Sequence, residues 1–247
     1  MSRVAVVTGG GSGLGESIAV QLGRDGHRVV VLDVDADNAD RVASGIRADG
    51  ATASAVQVDV ADADALAAGF AAVRDQLGPV GILVTSAAIG GFTRFDRITL
   101  EEWNRYLAVN LTGTFLCMQA ALSDMVEAGW GRIVTISSAA GQRGASRQGH
   151  YSATKGGVIA LTKSVAQDYA ANGITVNTVP PFVVDTPMLR EQQRANKLPP
   201  DEYLLQAIPA GRLGTGADIA ALCGFLCTDA AGYITGQVIG VNGGAIV

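Results

Sequence analysis

The stretch VAVVTGGGSGLGESIAVQL, residues 4–22, joins an apolar β-branched run to an amphipathic helical pattern through a glycine-rich turn. Glycine allows a tight turn and a close approach of the backbone to a ligand, and a helix N-terminus offers free N–H groups with a partial positive charge. The stretch therefore predicts a strand–turn–helix unit that binds a pyrophosphate. The residues expected to line this site are Gly9, Gly11, Ser12, Gly13, Leu14 and Gly15.

The same alternation of strand and helix continues along the chain. Further β-branched runs are HRVVVLD, ASAVQVDV, GILVTSA, GRIVTISS, GITVNTV and GQVIGVN, and helical patterns separate them. Strands that are apolar at every position are covered on both faces, which is typical of a parallel sheet in an α/β protein. The sequence predicts one domain over residues 1–247, a doubly wound (Rossmann) seven-stranded parallel sheet with helices on both faces.

One segment departs from this alternation. Residues 185–209 are polar and contain several prolines, and they follow the carboxyl end of the sixth strand. Ligands of α/β proteins bind at that end of the sheet, so the segment is predicted to be a mobile lid over a site. A surface helical hairpin is the alternative.

Composition narrows the possible partners. The formal net charge is -5 and no run is rich in lysine or arginine, which argues against nucleic acid. There is no N-terminal signal pattern and no apolar run of about 18 residues, so we expect a cytoplasmic protein with no membrane partner. The three cysteines are predicted to be buried apolar residues, and no metal site is expected.

Two carboxylates follow strands near the glycine turn. Asp33 ends the second strand, eighteen residues after Gly15, where it can hold the hydroxyls of an adenosine ribose. Its negative charge would repel a ribose 2′-phosphate, so the predicted cofactor is NAD, with NADP less favoured. Asp59, at the end of the third strand, can reach an adenine edge, although an aspartate at a helix N-terminus is an equally ordinary role.

The stretch GHYSATKGG, residues 149–157, places Tyr151 and Lys155 four positions apart, on one face of a helix. A tyrosine has a pKa of about 10, and a lysine ammonium about 4 Å away is worth roughly 4 kcal/mol, about enough to bring that pKa near 7. We therefore expect Tyr151 to act as an acid/base with help from Lys155. His150 is expected to lie outside the reacting centre, since adjacent helical residues point about 100° apart.

Several motifs together resemble the classical short-chain dehydrogenase/reductase family. They are TGGGSGLG at 8–15, VNLTG around Asn110, Ser137-Ser138 after the fifth strand, YSATK at 151–155 and the terminus ITGQVIGVNGG. The resemblance implies an NAD(P)-dependent alcohol dehydrogenase or ketoreductase in which Ser138 positions the substrate oxygen and Asn110 holds a water that links Lys155 to solvent. It also implies cofactor contacts from Asp59, Val60, Ser86, Ala87, Tyr151, Lys155, the Val184 backbone and Thr186.

Two segments depart from the family pattern. Thr85-Ser86-Ala87-Ala88 replaces the usual Asn-Asn-Ala-Gly, and an alanine at 88 requires a backbone without positive φ. Phe182 stands where glycine is usual, which places a large ring either beside the nicotinamide pocket or in the lid.

The substrate is less well determined than the reaction. IPAGRLGTGADIA and AAGYITGQV are most similar to the 3-oxoacyl-carrier-protein reductase branch and its catabolic relatives. The branch usually uses NADPH, whereas Asp33 favours NAD-linked oxidation of a secondary alcohol such as a 3-hydroxyacyl thioester. A non-catalytic NAD-binding sensor or scaffold is the alternative of another class.

The resemblance also implies a homotetramer or homodimer. An anionic substrate would be attracted if the basic residues of the two loops converged, namely Arg143, Arg147, Arg190, Arg194 and Lys197. Solvated loop charges are the alternative, and the sequence favours it slightly.

Overall fold

The computed structural model describes residues 2–247 and has a parallel sheet at its centre. The strands are Val4–Thr8 (β1), Arg28–Asp33 (β2), Ala53–Gln57 (β3), Val80–Thr85 (β4), Gly131–Ile136 (β5) and Ile174–Val179 (β6). They stand in the order β3-β2-β1-β4-β5-β6, and every neighbouring pair is parallel. The predicted α/β class with a doubly wound sheet is confirmed.

Helices cover both faces of this sheet. Their bounds are Gly13–Arg24 (α1), Ala36–Ala48 (α2), Ala63–Leu77 (α3), Leu100–Tyr106 (α4), Gly113–Ala128 (α5), Ala139–Arg143 (α6), Gly149–Tyr169 (α7), Pro187–Arg194 (α8), Asp201–Leu205 (α9) and Gly216–Leu226 (α10). A π-helical segment, Leu107–Thr112, joins α4 to α5 without a break. Helices α1, α2 and α10 pack on one face, and α3, α5 and α7 pack on the other. No helix within residues 2–247 is long and apolar enough to span a membrane.

Burial on two faces explains why the strand sequences are continuously apolar. Successive side chains of a strand point to opposite faces, so Val31 packs with α1, α2 and α10 while Val30 packs with the other helices. Each such side chain contributes roughly 1.5–3 kcal/mol when fully buried. The three cysteines belong to the same two layers and are free and buried, as predicted.

The predicted seventh strand is present only as isolated bridges within the described residues. Val238 pairs with Thr178 and Val241 with Pro181, both in parallel register beside β6. The N–H of Ile239 donates to the Thr178 carbonyl, but Pro180 and Pro181 have no N–H with which to extend the ladder. The sheet therefore has six strands rather than seven, and residues 236–241 form a partly paired edge.

The order of the strands determines where a ligand can bind. From β1 the chain runs outward to β2 and β3, then crosses back to β4 on the other side of β1. A crevice opens at the carboxyl ends of strands where the order reverses, here between β1 and β4. The hydroxyl of Thr8 closes the base of this crevice by accepting hydrogen bonds from the N–H groups of Ser86 (3.2 Å) and Ala87 (3.3 Å).

Candidate active site

A cavity of about 760 Å³ opens at this crevice and extends from the glycine turn to Tyr151. Its volume is within the usual range for small-molecule sites. Most of the predicted cofactor residues line it: Gly9, Ser12, Gly13, Leu14, Gly15, Asp33, Asp59, Val60, Ser86, Ala87, Tyr151, Lys155, Val184 and Thr186. Gly11 is not among the lining residues, and its role is in the support of Asp33.

The glycine turn has the geometry of a backbone cradle. Gly9 and Gly13 have φ values of +64° and +56°, which side-chain-bearing residues rarely adopt. A Cβ at Gly9 would lie 2.6 Å from the Ala87 Cα, and a Cβ at Gly15 would overlap the Gly9 carbonyl oxygen. Helix α1 begins at Gly13, and the side chain of its N-cap residue, Ser12, makes no cap hydrogen bond. Its first N–H groups therefore face the cavity without a side-chain acceptor. The cradle fits the pyrophosphate of a dinucleotide.

Asp33 is fixed in place by the backbone. Its Oδ2 accepts a hydrogen bond from the Gly11 N–H (2.8 Å), and its Oδ1 accepts one from the Asp35 N–H (3.0 Å). A Cβ at Gly11 would lie 2.9 Å from Oδ2, so glycine is needed there for this contact. Asp59 is exposed, and its Oδ1 accepts from the Ala61 N–H (2.9 Å). Both carboxylates stand at the ends of neighbouring strands, β2 and β3, so they lie at the same end of the cavity.

Ser138 and Tyr151 meet at the opposite end, because the ends of β5 and the start of α7 converge there. Ser138 is the N-cap of α6, and its hydroxyl accepts a hydrogen bond from the Ala140 N–H (3.1 Å). Burial raises the pKa of Tyr151 above its ordinary value, and the neighbouring Ser138 side chain opposes this more weakly.

Lys155 lies beside the Tyr151 ring and is held there by the backbone. Its Nζ lies 5.8 Å from the Tyr151 ring centroid and donates to the Ile136 carbonyl oxygen (2.8 Å). Burial disfavours the ammonium and lowers the pKa of Lys155 to about 8. Burial thus acts against the charged forms of both groups. The predicted lowering of the Tyr151 pKa by Lys155 stays a prediction.

Asn110 is fully buried within the π-helical segment and does not line the cavity. Its Oδ1 accepts from the Ile89 N–H (2.9 Å), and its Nδ2 donates to the Ile89 carbonyl (3.0 Å) and the Thr154 hydroxyl (3.3 Å). The side chain thus ties the loop after β4 to Thr154 on helix α7, the residue before Lys155. Its predicted water-holding role remains a prediction.

The residues after β6 have structural duties besides their predicted contacts. Val184 pairs with Gly214 as a parallel bridge and is buried. The Thr186 hydroxyl caps α8 by accepting from the Leu189 N–H (3.2 Å). The Phe182 ring lines the cavity, with the Arg143 guanidinium 5.1 Å from its centroid, which places this departure from the family pattern in the pocket wall. Ala88 is not among the residues with positive φ, as its side chain requires.

The segment 185–209, predicted to be a lid, contributes one wall of the cavity, and its mobility stays a prediction. Helices α8 and α9 and the segment between them contribute Pro187, Met188, Leu189, Gln192, Leu198 and Leu204. Together with Phe92 and Phe182, these side chains make the wall near Tyr151 mainly apolar. Sequence reasoning identified the segment but not these residues, although the spacing of Met188, Leu189 and Gln192 on α8 is the signal that could have indicated them.

The basic residues of the lid do not converge on the cavity. Arg190 is neutralised by Asp185 (2.8 Å) and Asp201 (2.7 Å), and neither Arg194 nor Lys197 lines the cavity. Arg147 also lies outside it, whereas Arg143 and Arg105 are lining residues with no carboxylate within ion-pair distance. These basic residues therefore do not form a cluster at the cavity, because Arg190 is used to hold the lid together.

Known proteins are similar to this chain in both sequence and fold. Residues 9–245 match the family described as Enoyl-(Acyl carrier protein) reductase, and the chain is 41% identical over 244 residues to the acetoacetyl-CoA reductase of Rhizobium meliloti (strain 1021), covering 99% of this chain and 98% of that relative. The chain is a short-chain dehydrogenase/reductase. It is 36% identical to the 3-oxoacyl-[acyl-carrier-protein] reductase FabG of Pseudomonas aeruginosa PAO1, covering 98% of this chain and 96% of the relative.

Solved structures share the fold of this chain. The crystal structure of gox2181 has a TM-score of 0.94 at 31% identity and covers 99% of this chain and 95% of its own. A crystal structure described as ribose-5-phosphate isomerase from Brucella melitensis 16M has a TM-score of 0.93 at 33% identity, covering 100% and 93%. This short-chain dehydrogenase/reductase is thus an oxidoreductase that binds a nicotinamide cofactor and acts on a small-molecule substrate.

Proposed function

We propose that the protein transfers hydride reversibly between NAD(H) and a secondary alcohol or ketone, with Tyr151 as the acid/base. One observation carries the proposal: Ser138, Tyr151 and Lys155 line the same cavity as the glycine cradle and Asp33. A bound nicotinamide dinucleotide would supply or accept the hydride, and Gly9, Gly13, Gly15 and Asp33 would hold its phosphates and ribose.

The residues of this chain account for the proton. Ser138 positions a substrate oxygen by donating its hydroxyl hydrogen, and it lines the same cavity as Tyr151. Because burial raises the pKa of Tyr151, the phenol keeps its proton at neutral pH and is ready to donate it to a ketone oxygen. In the oxidation direction the phenol must first lose that proton, so a further positive charge in the cavity is required to stabilise the phenolate. Lys155 provides one such charge below its pKa of about 8.

The preference for NAD rests on the charges at the cofactor end. Asp33 and Asp59 both line the cavity there. Of the basic residues that line it, Arg143 lies against Phe182 and Lys155 beside Tyr151. Arg41 is close to the turn, since it donates to the Gly11 carbonyl (2.9 Å), but Glu16 neutralises it through two hydrogen bonds (2.7 and 2.8 Å). A ribose 2′-phosphate would meet negative charge without a free basic partner.

A 3-hydroxyacyl or 3-oxoacyl thioester, or a related catabolic alcohol, is the proposed substrate. The names of the Rhizobium and Pseudomonas relatives indicate acetoacetyl-CoA and 3-oxoacyl-carrier-protein reductases. The apolar wall formed by Phe92, Met188 and Leu204 suits a short acyl chain. An NADPH-dependent 3-oxoacyl-carrier-protein reductase is the second candidate, favoured by the same relatives.

Turnover measurements test these alternatives. NAD(H) and NADP(H) are compared with secondary alcohols, steroids, acetoacetyl-CoA and 3-hydroxyacyl thioesters, with the Tyr151→Phe variant as the matched blank. We expect thioester turnover with NAD(H), absent from the variant. A preference for NADP(H) would favour the second candidate, and no absorbance change with any pair would favour a non-catalytic NAD-binding sensor or scaffold.

We also propose that the protein assembles as a homotetramer, or as a homodimer. Helix α5 supports this, because Phe115 and Val126 on its surface are each 40% exposed and have no apolar cover in the monomer. Light scattering coupled to gel filtration measures the mass directly. A monomer at micromolar concentration would contradict assembly.

A further inference from the structure

His150 is a fully buried imidazole beside Tyr151 that the proposed chemistry does not use. Its ring stacks on Tyr106 of α4, with centroids 3.8 Å apart and planes inclined by 10°. Its Nδ1 accepts a hydrogen bond from the Tyr151 backbone N–H (2.8 Å), and its Nε2 lies 3.1 Å from the Glu102 carboxylate. The ring does not line the cavity, so it cannot touch the reacting atoms.

The hydrogen bonds determine which nitrogen of His150 carries the proton. Because Nδ1 accepts from an N–H, it has no hydrogen, and Nε2 must carry the hydrogen of the neutral ring and donate it to Glu102. Glu102 Oε1 also accepts from the Thr93 hydroxyl (2.7 Å), and this bond and the one from His150 lower the pKa of the carboxyl. The imidazole is therefore held in a single orientation and tautomer by groups on α4 and the loop before it.

Helix α7 needs the acceptor that His150 provides. The first N–H groups of a helix have no intrahelical partner and are usually capped by the side chain of the N-cap residue. Here the N-cap residue, Gln148, makes no side-chain cap, and the first turn contains no acidic residue. The imidazole Nδ1 replaces the missing cap, and the N–H that it receives belongs to Tyr151.

We propose that the Glu102–His150 pair is a positioning device for the reaction, in which His150 caps the first turn of α7 and so fixes the direction of the Tyr151 side chain toward Ser138. Glu102 acts through His150 and not on the substrate. The inference rests on the proposed role of Tyr151. It assigns a function to two residues far apart in the sequence and to a tautomer of the ring.

Three substitutions separate this role from simple packing. His150→Phe keeps an aromatic ring over Tyr106 but removes both hydrogen bonds. His150→Asn loses the ring but offers a carbonyl oxygen to the Tyr151 N–H. Glu102→Leu leaves the cap and removes its support. His27→Asn is the matched control, because the His27 Nδ1 also accepts a backbone N–H, that of Arg3 (3.3 Å), and His27 does not line the cavity.

The readouts are kcat, the dissociation constant of NADH from fluorescence, and amide hydrogen exchange in the segment 149–155. We expect His150→Phe to lower kcat about tenfold with an NADH dissociation constant within about twofold of the wild type, and to speed exchange in that segment about tenfold. His150→Asn should recover most of the kcat, Glu102→Leu should fall between the two, and His27→Asn should match the wild type.

Two results would overturn the inference. One is a kcat of His150→Phe equal to that of the wild type, and the other is an equal loss in His150→Phe and His150→Asn, which would indicate packing alone. If His150→Phe does not fold, His150→Asn is compared with Glu102→Leu. A kcat of His150→Asn at or below that of Glu102→Leu would then overturn the inference. Absence of turnover in the wild type would refute the proposed function, whereas the exchange measurement tests the cap of α7 independently.

Discussion

The two ends of the cavity are built differently. At the cofactor end the backbone makes the site, through the left-handed glycines at 9 and 13 and the N–H groups that hold Asp33. At the substrate end side chains make it, and they come from distant segments: Tyr151 from α7, Ser138 from the end of β5, and Met188 from the lid. A site made of backbone tolerates almost no added atoms, whereas a site made of side chains can be reshaped one residue at a time.

The largest expected effect is at the cofactor end. In Gly15→Ala the new Cβ overlaps the Gly9 carbonyl, so we expect a loss of roughly 3 kcal/mol in unfolding free energy and about 100-fold or more in NADH affinity. Urea unfolding and NADH fluorescence measure the two effects. Gly45→Ala on α2 is the control, since its Cβ meets nothing within 4 Å, and it should be as stable as the wild type or more so. Equal behaviour of the two variants would remove the contrast between the ends.

Asp33 tests whether charge as well as shape controls the cofactor end. Removing the carboxylate in Asp33→Ser should lower the ratio of NAD to NADP efficiency by about 10–100-fold. The reason is that the carboxylate repels the 2′-phosphate of NADP, and like charges placed together cost several kcal/mol. Steady-state kinetics with both cofactors give the ratio. Asp37→Ser, an exposed position in the first turn of α2, serves as control and should leave the ratio unchanged. An unchanged ratio in Asp33→Ser would show that something else selects the cofactor.

Lys155 lies where the two ends meet, and its burial can be measured through stability. Its folded pKa of about 8 lies below its ordinary value of 10.5, so between these pH values the unfolded chain binds a proton that the folded chain has released. The free energy of unfolding therefore increases as pH rises from about 8 to 10 because of this group. Compared with Lys155→Met, wild-type stability should gain roughly 1–2 kcal/mol between about pH 7.5 and 9.5.

The same comparison is made with Lys163→Met, an exposed position on the same helix. That variant should keep a constant difference from the wild type across the pH range, because an exposed lysine has nearly the same environment in both states. Urea unfolding at the two pH values provides both differences. A constant difference for Lys155→Met would mean that its ammonium is solvated in the folded protein.

The smallest effect is expected at the substrate end. Met188→Ala removes part of the apolar wall, so the KM of the best substrate should rise about threefold to tenfold, while the NADH dissociation constant stays unchanged. Tyr203→Ala, on the exposed surface of α9 and outside the cavity, is the control. A matching change in NADH affinity would show that the lid contacts the cofactor as much as the substrate.

Local patterns explain how much of this site could be predicted from the sequence. The glycine turn and Asp33 were predictable because a strand, a turn and a helix follow one another within 33 residues and the backbone does the binding. The effect of Lys155 on Tyr151 was not, because it depends on how deeply both groups are buried. Nor was the neutralisation of Arg190, whose partner Asp201 is brought to it by the fold of the lid.

For His150 the sequence predicted the position relative to the site but not the contacts. The sequence correctly placed it outside the reacting centre, since its ring does not line the cavity. Its contact with Glu102 joins residues 48 positions apart and depends on α4 crossing the start of α7, which no spacing within GHYSATKGG reveals. Long-range contacts of buried polar groups are the part of the site that only a three-dimensional structure supplies.

The π-helical segment Leu107–Thr112 sets the phase of the long helix in which it lies. A π turn holds one residue more than an α turn, so the side chains before it are rotated by about 100° relative to those after it. That rotation lets Glu102 and Tyr106 face His150 while Met118 and Met125 face the sheet. Deleting one residue within the segment would give a more regular helix and turn Glu102 away from α7, so in this stretch the length of the chain matters as much as its composition.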